Sequence, residues 1–307
     1  MSAKHASLSI EVSLLVVLST LWGASYTLIK FGIATIPPVT FIAGRTLIAG
    51  ALLAAILAAR GIAWPRDRRT WGRFLFQALM NSVIPFTLIA WAEQSIDAGL
   101  AVILNSLSPV FTFLITAFVT RHEPVNLVSG FGIVLSLAGV ALMIGLDAFS
   151  GLGREVVAQG AVLIATLCYA VGAISGKGFK GLDPTVPAAG SMLCGAALLI
   201  PLSLVVDRPW TVTPSLSSLV ALVGLAVFST ALAFVIFFRL MQTLGSVRTT
   251  SQAFLRVPIG VGIGMVLLAE TPKPTTWIGL VCVGFGVAAI TLRRAAAKSA
   301  VPQPSAT

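Results

Sequence analysis

The chain reads as a succession of apolar runs, each roughly 20 residues long, separated by short polar connections. A helix of about 20 apolar residues matches the ~30 Å hydrocarbon core of a bilayer. The pattern predicts ten membrane-spanning helices, over 11–34, 38–59, 72–92, 97–120, 126–146, 157–177, 185–206, 216–240, 246–269 and 274–293. From Leu292 the chain turns polar (LRRAAAKSAVPQPSAT), so residues 294–307 are expected to form a disordered tail. The first run, behind Lys4, is too long for a signal peptide and no small-residue cleavage site follows it. It counts as a helix.

The runs also repeat. A shift of 146 residues aligns PVTFIAGRTLIAGALL (38–53) with PTVPAAGSMLCGAALL (184–199), with seven identities in 16. A shift of 147 aligns GIVLSLAGVA (132–141) with GLVCVGFGVA (279–288), five identities in ten, and pairs Glu123 with Glu270. The expected fold class is therefore an all-α integral membrane protein with two five-helix repeats, 11–146 and 157–293. Five is odd, so the second repeat enters the membrane from the opposite side. Inverted repeats of this kind mark many secondary transporters, whose sites lie near the midplane between the halves.

Composition narrows the class. Hydrophobic residues make up 57% of the chain and charged ones 10%, with a mean hydropathy of +1.00. Soluble domains carry about 25% charged residues, so a soluble enzyme, a secreted disulfide scaffold and a DNA-binding domain are excluded. The net charge of +10 then needs a reading other than nucleic acid, and orientation supplies one. Fourteen Lys and Arg fall in or beside one set of alternate connections and only Arg154, Arg208 and Lys273 in the other. The positive-inside rule places both termini in the cytoplasm. Cys168, Cys194 and Cys282 lie in apolar runs without a CxxC pair and read as small core residues.

Polar and aromatic residues deep in a span are the functional candidates. Trp64, Trp71, Trp91, Trp210 and Trp277 sit at span ends or in loops, as interfacial belts do. Trp22, Tyr26 and Tyr169 lie mid-span instead, and a buried hydroxyl or indole N–H needs a partner. Trp22, Ser25 and Tyr26 share one helical face, continuing to Lys30. Asn105, Ser108 and Pro109 share another, and a mid-span proline frees a backbone carbonyl. Pro85 below Asn81, and Pro258 beside Arg256, repeat the pattern, so Pro85, Pro109 and Pro258 are candidate hinges. Arg256 stacks with Gln252 and Arg248, and should face water, a carbonyl or an anionic ligand. Each of these has a plain alternative: helix packing for the rings, tolerated kinks for the prolines, a tether onto freed carbonyls for Arg256. Lys30 and Arg45 lie nearer span ends and can snorkel. Glu123 and Glu270 end their helices, where local structural roles are expected.

Absences shape the reading further. All ten Asp and Glu lie near span ends or in loops, and neither histidine is in a span. There is no HExxH, no buried Ser/His pair, no metal-ligand cluster and no catalytic candidate. GAISGKG (172–178) has one residue too few between glycines for a P-loop. No cofactor is implied. With no carboxylate or histidine placed to exchange a proton inside the membrane, flux is expected to follow the substrate gradient.

The segments LWGASYTLIKFG, FIAGRTLIAGALLAA and NSLSPVFTFLITAFVTRHEP resemble the EamA-type repeat of the drug/metabolite transporter superfamily; LCYAV, GAALL and LLAETP carry the likeness through the second half. The resemblance implies a non-enzymatic exporter of small metabolites in a bacterial inner membrane, amino acids including aromatic and neutral ones foremost, working by alternating access. Trp22, Ser25, Tyr26, Asn81, Asn105, Ser108, Tyr169, Gln252 and Arg256 are the expected substrate-binding residues. Partners are a small-molecule substrate and the lipid bilayer, not nucleic acid, and one copy can suffice. The alternative within transporters is a sugar phosphate, nucleotide sugar or drug; outside them, a membrane-embedded enzyme. Thr46 follows Arg45 where the family usually has an aromatic, and Ser191 occupies Arg45's place in the second repeat, so any role for Arg45 is one-sided.

Overall fold

The computed structural model describes residues 2–119, 127–144, 154–179, 181–243, 249 and 252–299. Its helices are α1 (Ser2–Gly32), α2 (Pro38–Ala59), α3 (Arg68–Ala78), α4 (Ile84–Ala92), α5 (Ala98–Asn105), α6 (Ser108–Leu114), α7 (Leu127–Ile144), α8 (Arg154–Ser175), α9 (Thr185–Val206), α10 (Leu216–Ala226), α11 (Ala233–Thr243), α12 (Gln252–Leu267) and α13 (Pro274–Ser299). No strand occurs among the described residues. Six helical units are long and apolar enough to cross a membrane, and four shorter apolar ones join them: Ala98–Leu114, Gly130–Leu142, Leu255–Leu267 and Pro274–Gly286. These correspond to the ten segments expected from hydropathy.

Three segments are interrupted, and local chemistry says why. In the third, Pro85 has no N–H for the carbonyl four residues back, and the ladder widens to a π-turn over Leu79–Val83, with Ile84 N–H donating to the Leu79 carbonyl. In the eighth, Val227–Leu232 makes a second π-turn, where the Thr230 hydroxyl donates to the Leu225 carbonyl at 2.8 Å. In the fourth, α5 stops at Asn105 and α6 starts at Ser108, with Pro109 in its first turn, and a third π-turn, Ile115–Val119, follows α6. Pro258 behaves differently. It lies inside the unbroken α12 and faces outward, so the hinge expected there is absent. The last helix runs through Ser299, so 294–299 are helical where an unstructured tail was expected.

Paired helix ends fix directions. At the start of α2, Thr40 donates through its backbone N–H (2.7 Å) and hydroxyl (2.9 Å) to Asp207, which follows α9. Past the other end of α2, Arg60 reaches Asp183 (2.9 Å) and Thr185 (3.2 Å) at the start of α9. The two helices therefore run antiparallel. The α1–α10/α11 pair does too: Ser218 donates to the Phe31 carbonyl at one end, and Arg239 pairs with Glu11 at the other. Tight packing needs small residues, as is usual where lipid removes the hydrophobic drive between helices. A Cβ on Gly23 of α1 would lie 3.1 Å from the Arg256 carbonyl and 3.2 Å from the Gly260 nitrogen of α12.

Candidate functional site

The break in the fourth segment positions the most polar contact of the interior. Pro109 cannot donate to the Asn105 carbonyl, which is left without its helical partner. Arg256, reaching across from α12, supplies one: its Nη2 donates to the Asn105 Oδ1 at 2.8 Å and to the freed carbonyl at 3.5 Å. Both residues are buried, Arg256 at 8% exposure and Asn105 at 1%. Each keeps a donor without a hydrogen-bond partner, Arg256 Nε and Asn105 Nδ2. Such a buried orphan costs about 1–3 kcal/mol. Two adjacent orphaned donors fit an acceptor with two oxygens, such as a carboxylate or phosphate.

A second guanidinium stands in the same layer. Arg45 is 3% exposed; it donates from Nε to the Thr230 hydroxyl at 2.8 Å and lies 3.6 Å above the Phe86 ring. The snorkelling expected of it is absent. Tyr26 is within electrostatic reach of Arg256 and Arg45, and Tyr169 of Tyr26 and both arginines. Rings link the rest: Trp22 to Phe234 (6.0 Å between centroids), Phe234 to Phe86 (6.5 Å) and Phe86 to Tyr169 (6.4 Å). The structure thus gathers Trp22, Tyr26, Asn105, Tyr169 and Arg256. Asn81, in the π-turn, abuts Gly172, one turn from Tyr169 on α8; a Cβ there would collide with its carboxamide. Gln252 is buried with its Oε1 unpartnered, while its carbonyl accepts from Ser19 (3.2 Å).

Other expected residues are engaged locally. The Ser25 hydroxyl donates to the Trp22 carbonyl of its own helix (2.7 Å), and the Ser108 carbonyl accepts from Thr112 (2.8 Å). Pro85 is buried beside the ring layer and Pro109 half-buried at the α5–α6 break. Arg248 and Glu123 lie outside the described residues. Arg45, Phe86, Phe234 and Thr230 were not among the expected site residues. Their signal is faint in sequence: a charge inside a span, and phenylalanines that look like ordinary apolar filling.

The end away from the basic loops carries a polar cluster. Lys30 Nζ donates to the carbonyls of Glu93 (2.6 Å) and Ile96 (2.7 Å), closing the C-terminus of α4. Glu270 accepts from the N–H groups of Ala98 (2.7 Å) and Gly99 (2.9 Å), capping α5 from another part of the chain, a structural role but not a local one. Glu93 itself is fully buried, and neither carboxyl oxygen has a partner. Like the other acids it lies near a span end, the place where a carboxylate could reach water. Glu93 does not reach it. At the basic end, burial works against the Asp183 charge, yet Thr185 and Arg60 hold its carboxyl below the ordinary value. Among the described residues no three His, Cys, Asp or Glu side chains come together as a metal site.

A sequence model described as the EamA-like transporter family matches residues 9–145 and again 158–292. The chain is 26% identical over 273 residues to the "Uncharacterized inner membrane transporter YedA" of Escherichia coli, covering 89% of this chain and 87% of that protein. It is 23% identical to the "Uncharacterized transporter YoaV" of Bacillus subtilis, covering 89% and 94%. A "Probable terminal-alkyne amino-acid exporter" of Streptantibioticus cattleyicolor is 24% identical, covering 89% and 90%. A crystal structure of a protein 20% identical aligns with a TM-score of 0.65 over 92% of this chain and 98% of that one, which shows a common fold.

Proposed function

We propose, on the premise that this chain belongs to the EamA-like transporter family, that it exports amino acids, aromatic and neutral ones included, by alternating access through a cavity between two inverted repeats. The cavity is lined by Trp22, Ser25, Tyr26, Asn81, Asn105, Ser108, Tyr169, Gln252 and Arg256, with Pro85 and Pro109 as hinges. The observation that carries this reading is the pair of orphaned donors on Arg256 and Asn105 beside a layer of rings. A carboxylate answers the donors. Aromatic faces attract an ammonium and pack against an apolar side chain. An amino acid offers all three groups. The relative named as an amino-acid exporter supports the class.

Two matches to one family model, and the antiparallel pairing of α2 with α9, support the two-repeat reading of 11–146 and 157–293. The charge bias supports cytoplasmic termini in an inner membrane. Transport is driven mainly by the substrate gradient. The two guanidiniums that reach the same tyrosines favour a second reading, a sugar phosphate or nucleotide sugar; against it, Arg45 already spends Nε on Thr230 and its face on Phe86. Counterflow into proteoliposomes, run with amino acids, sugar phosphates, nucleotide sugars and cationic drugs, tests both. Exchange of L-phenylalanine supports the amino-acid reading, and exchange confined to phosphorylated compounds overturns it.

A further inference from the structure

Glu93 plays no part in the substrate site proposed above, and its surroundings are unusual for a carboxyl. It sits one residue past α4, fully buried, with both oxygens unpartnered. The charge nearest to hand does not neutralise it: Lys30 spends two of its three N–H bonds on the Glu93 and Ile96 carbonyls, and no Lys30–Glu93 ion pair forms. The other charged or titratable groups facing it are Tyr26 on α1, Arg45 on α2, and Glu270 beyond α12. Glu270 repels a negative charge at Glu93 and is itself held in place by capping α5. An ionised carboxylate without donors is among the costliest groups to bury, and such a group neutralises instead.

We propose that Glu93 is a proton-binding site facing the side opposite the basic loops: it holds a proton while that end is closed, as here, and releases it when the end opens. The inference rests on the transporter reading in treating this end as an outer gate. Burial, with Glu270 adding to it, pushes the carboxyl well above its usual range against the pull of Lys30 and Arg45. Water would return it to an ordinary value. A site raised in the closed form favours closure fully below the ordinary carboxylate pKa, and that preference fades as pH rises to the buried value. The proton enters and leaves from the same side, so it gates the cycle without driving it. External acid therefore holds the exit shut, and the substrate gradient still supplies the energy.

The test needs no substrate, so failure of the amino-acid reading leaves it decisive. Infrared difference spectra of the full chain in lipid, wild type minus Glu93→Gln, should show a protonated-carboxyl band at neutral pH, and the band should persist in Glu270→Gln. Hydrogen exchange over 93–105, corrected for intrinsic rates, should rise about tenfold per pH unit in the wild type, one proton's worth, and lose that slope in Glu93→Gln. Gln mimics the protonated acid in shape and charge, so the variant should fold. A missing band, or the same slope in both proteins, overturns the proposal.

Discussion

Replacing Arg256 by Lys asks whether the guanidinium binds substrate or only ties two helices together. The charge survives this substitution; the fork does not. In the wild type, Nη2 holds Asn105 at 2.8 Å while Nε is left free for a ligand. An ammonium on a shorter, single-headed stem cannot hold both positions. One hydrogen bond to a charged group is worth about 1.5–3 kcal/mol, so the half-saturating concentration of L-phenylalanine should rise roughly ten- to hundredfold. Phenethylamine, which lacks the carboxylate, should compete as well against the variant as against the wild type. Counterflow in proteoliposomes at matched protein content measures both. If Arg256 is merely a tether, Arg256→Lys lowers thermal stability and weakens both compounds alike, and the carboxylate reading is refuted. Asn105→Asp provides the complement. It removes the Nδ2 donor and gives Arg256 a permanent counter-charge, so carboxylate-bearing substrates should lose their site.

A fluorescent reporter active only in the cytoplasm, fused after Thr307, should light up; a dark but fully expressed fusion would reverse the topology. Trp22→Ala and Tyr169→Ala should each weaken amino-acid binding by about five- to thirtyfold if their rings stack on substrate, and unchanged counterflow would reduce them to packing. Asp183→Asn should cost little, no more than about 1 kcal/mol for so exposed an ion pair. Because the folded-state pKa is depressed, that contribution is present above the ordinary carboxylate value and vanishes as pH falls through the lower one, so melting curves of variant and wild type should converge only in acid. An imposed pH gradient with the membrane potential clamped should change rates without driving uphill accumulation of L-phenylalanine; accumulation would show proton coupling.

The scaffold was legible because the bilayer imposes one strong constraint. Ten apolar stretches gave the spans, and most boundaries fall within a few residues of the helices found. The site was legible where one residue alone carries the signal. Asn105, Tyr26, Tyr169 and Arg256 each announce themselves by being polar or charged at depth, and Pro109 announces a freed carbonyl. What they touch was not legible. Arg45 was read by its depth along one helix, as a side chain able to reach water, but that side chain meets Phe86 and Thr230, more than 40 and 180 residues away in sequence. Glu93 shows the same limit: closeness to a span end implies water only if nothing folds over that end, and Lys30 ties the Glu93 and Ile96 carbonyls together across it.

Besides the π-turn at Ile115–Val119 in the fourth segment, two π-turns, in the third and eighth, carry the point further. They begin at Leu79 and Val227, 148 positions apart, close to the 146- and 147-residue shifts that align the two halves of the sequence. In the first a proline removes a donor, and a search for mid-span prolines finds it. In the second no proline exists, and a threonine hydroxyl takes up the carbonyl five residues back while accepting from Arg45. The same widening of the helix is thus reached by two different local chemistries at corresponding places. Pro258 completes the argument from the other side, since a proline accommodated on the outer face of α12 leaves the helix unbroken. The distortion follows position in the fold, where the ladder must open to let Asn81 meet α8 and Thr230 meet Arg45. Proline is only one way of supplying it.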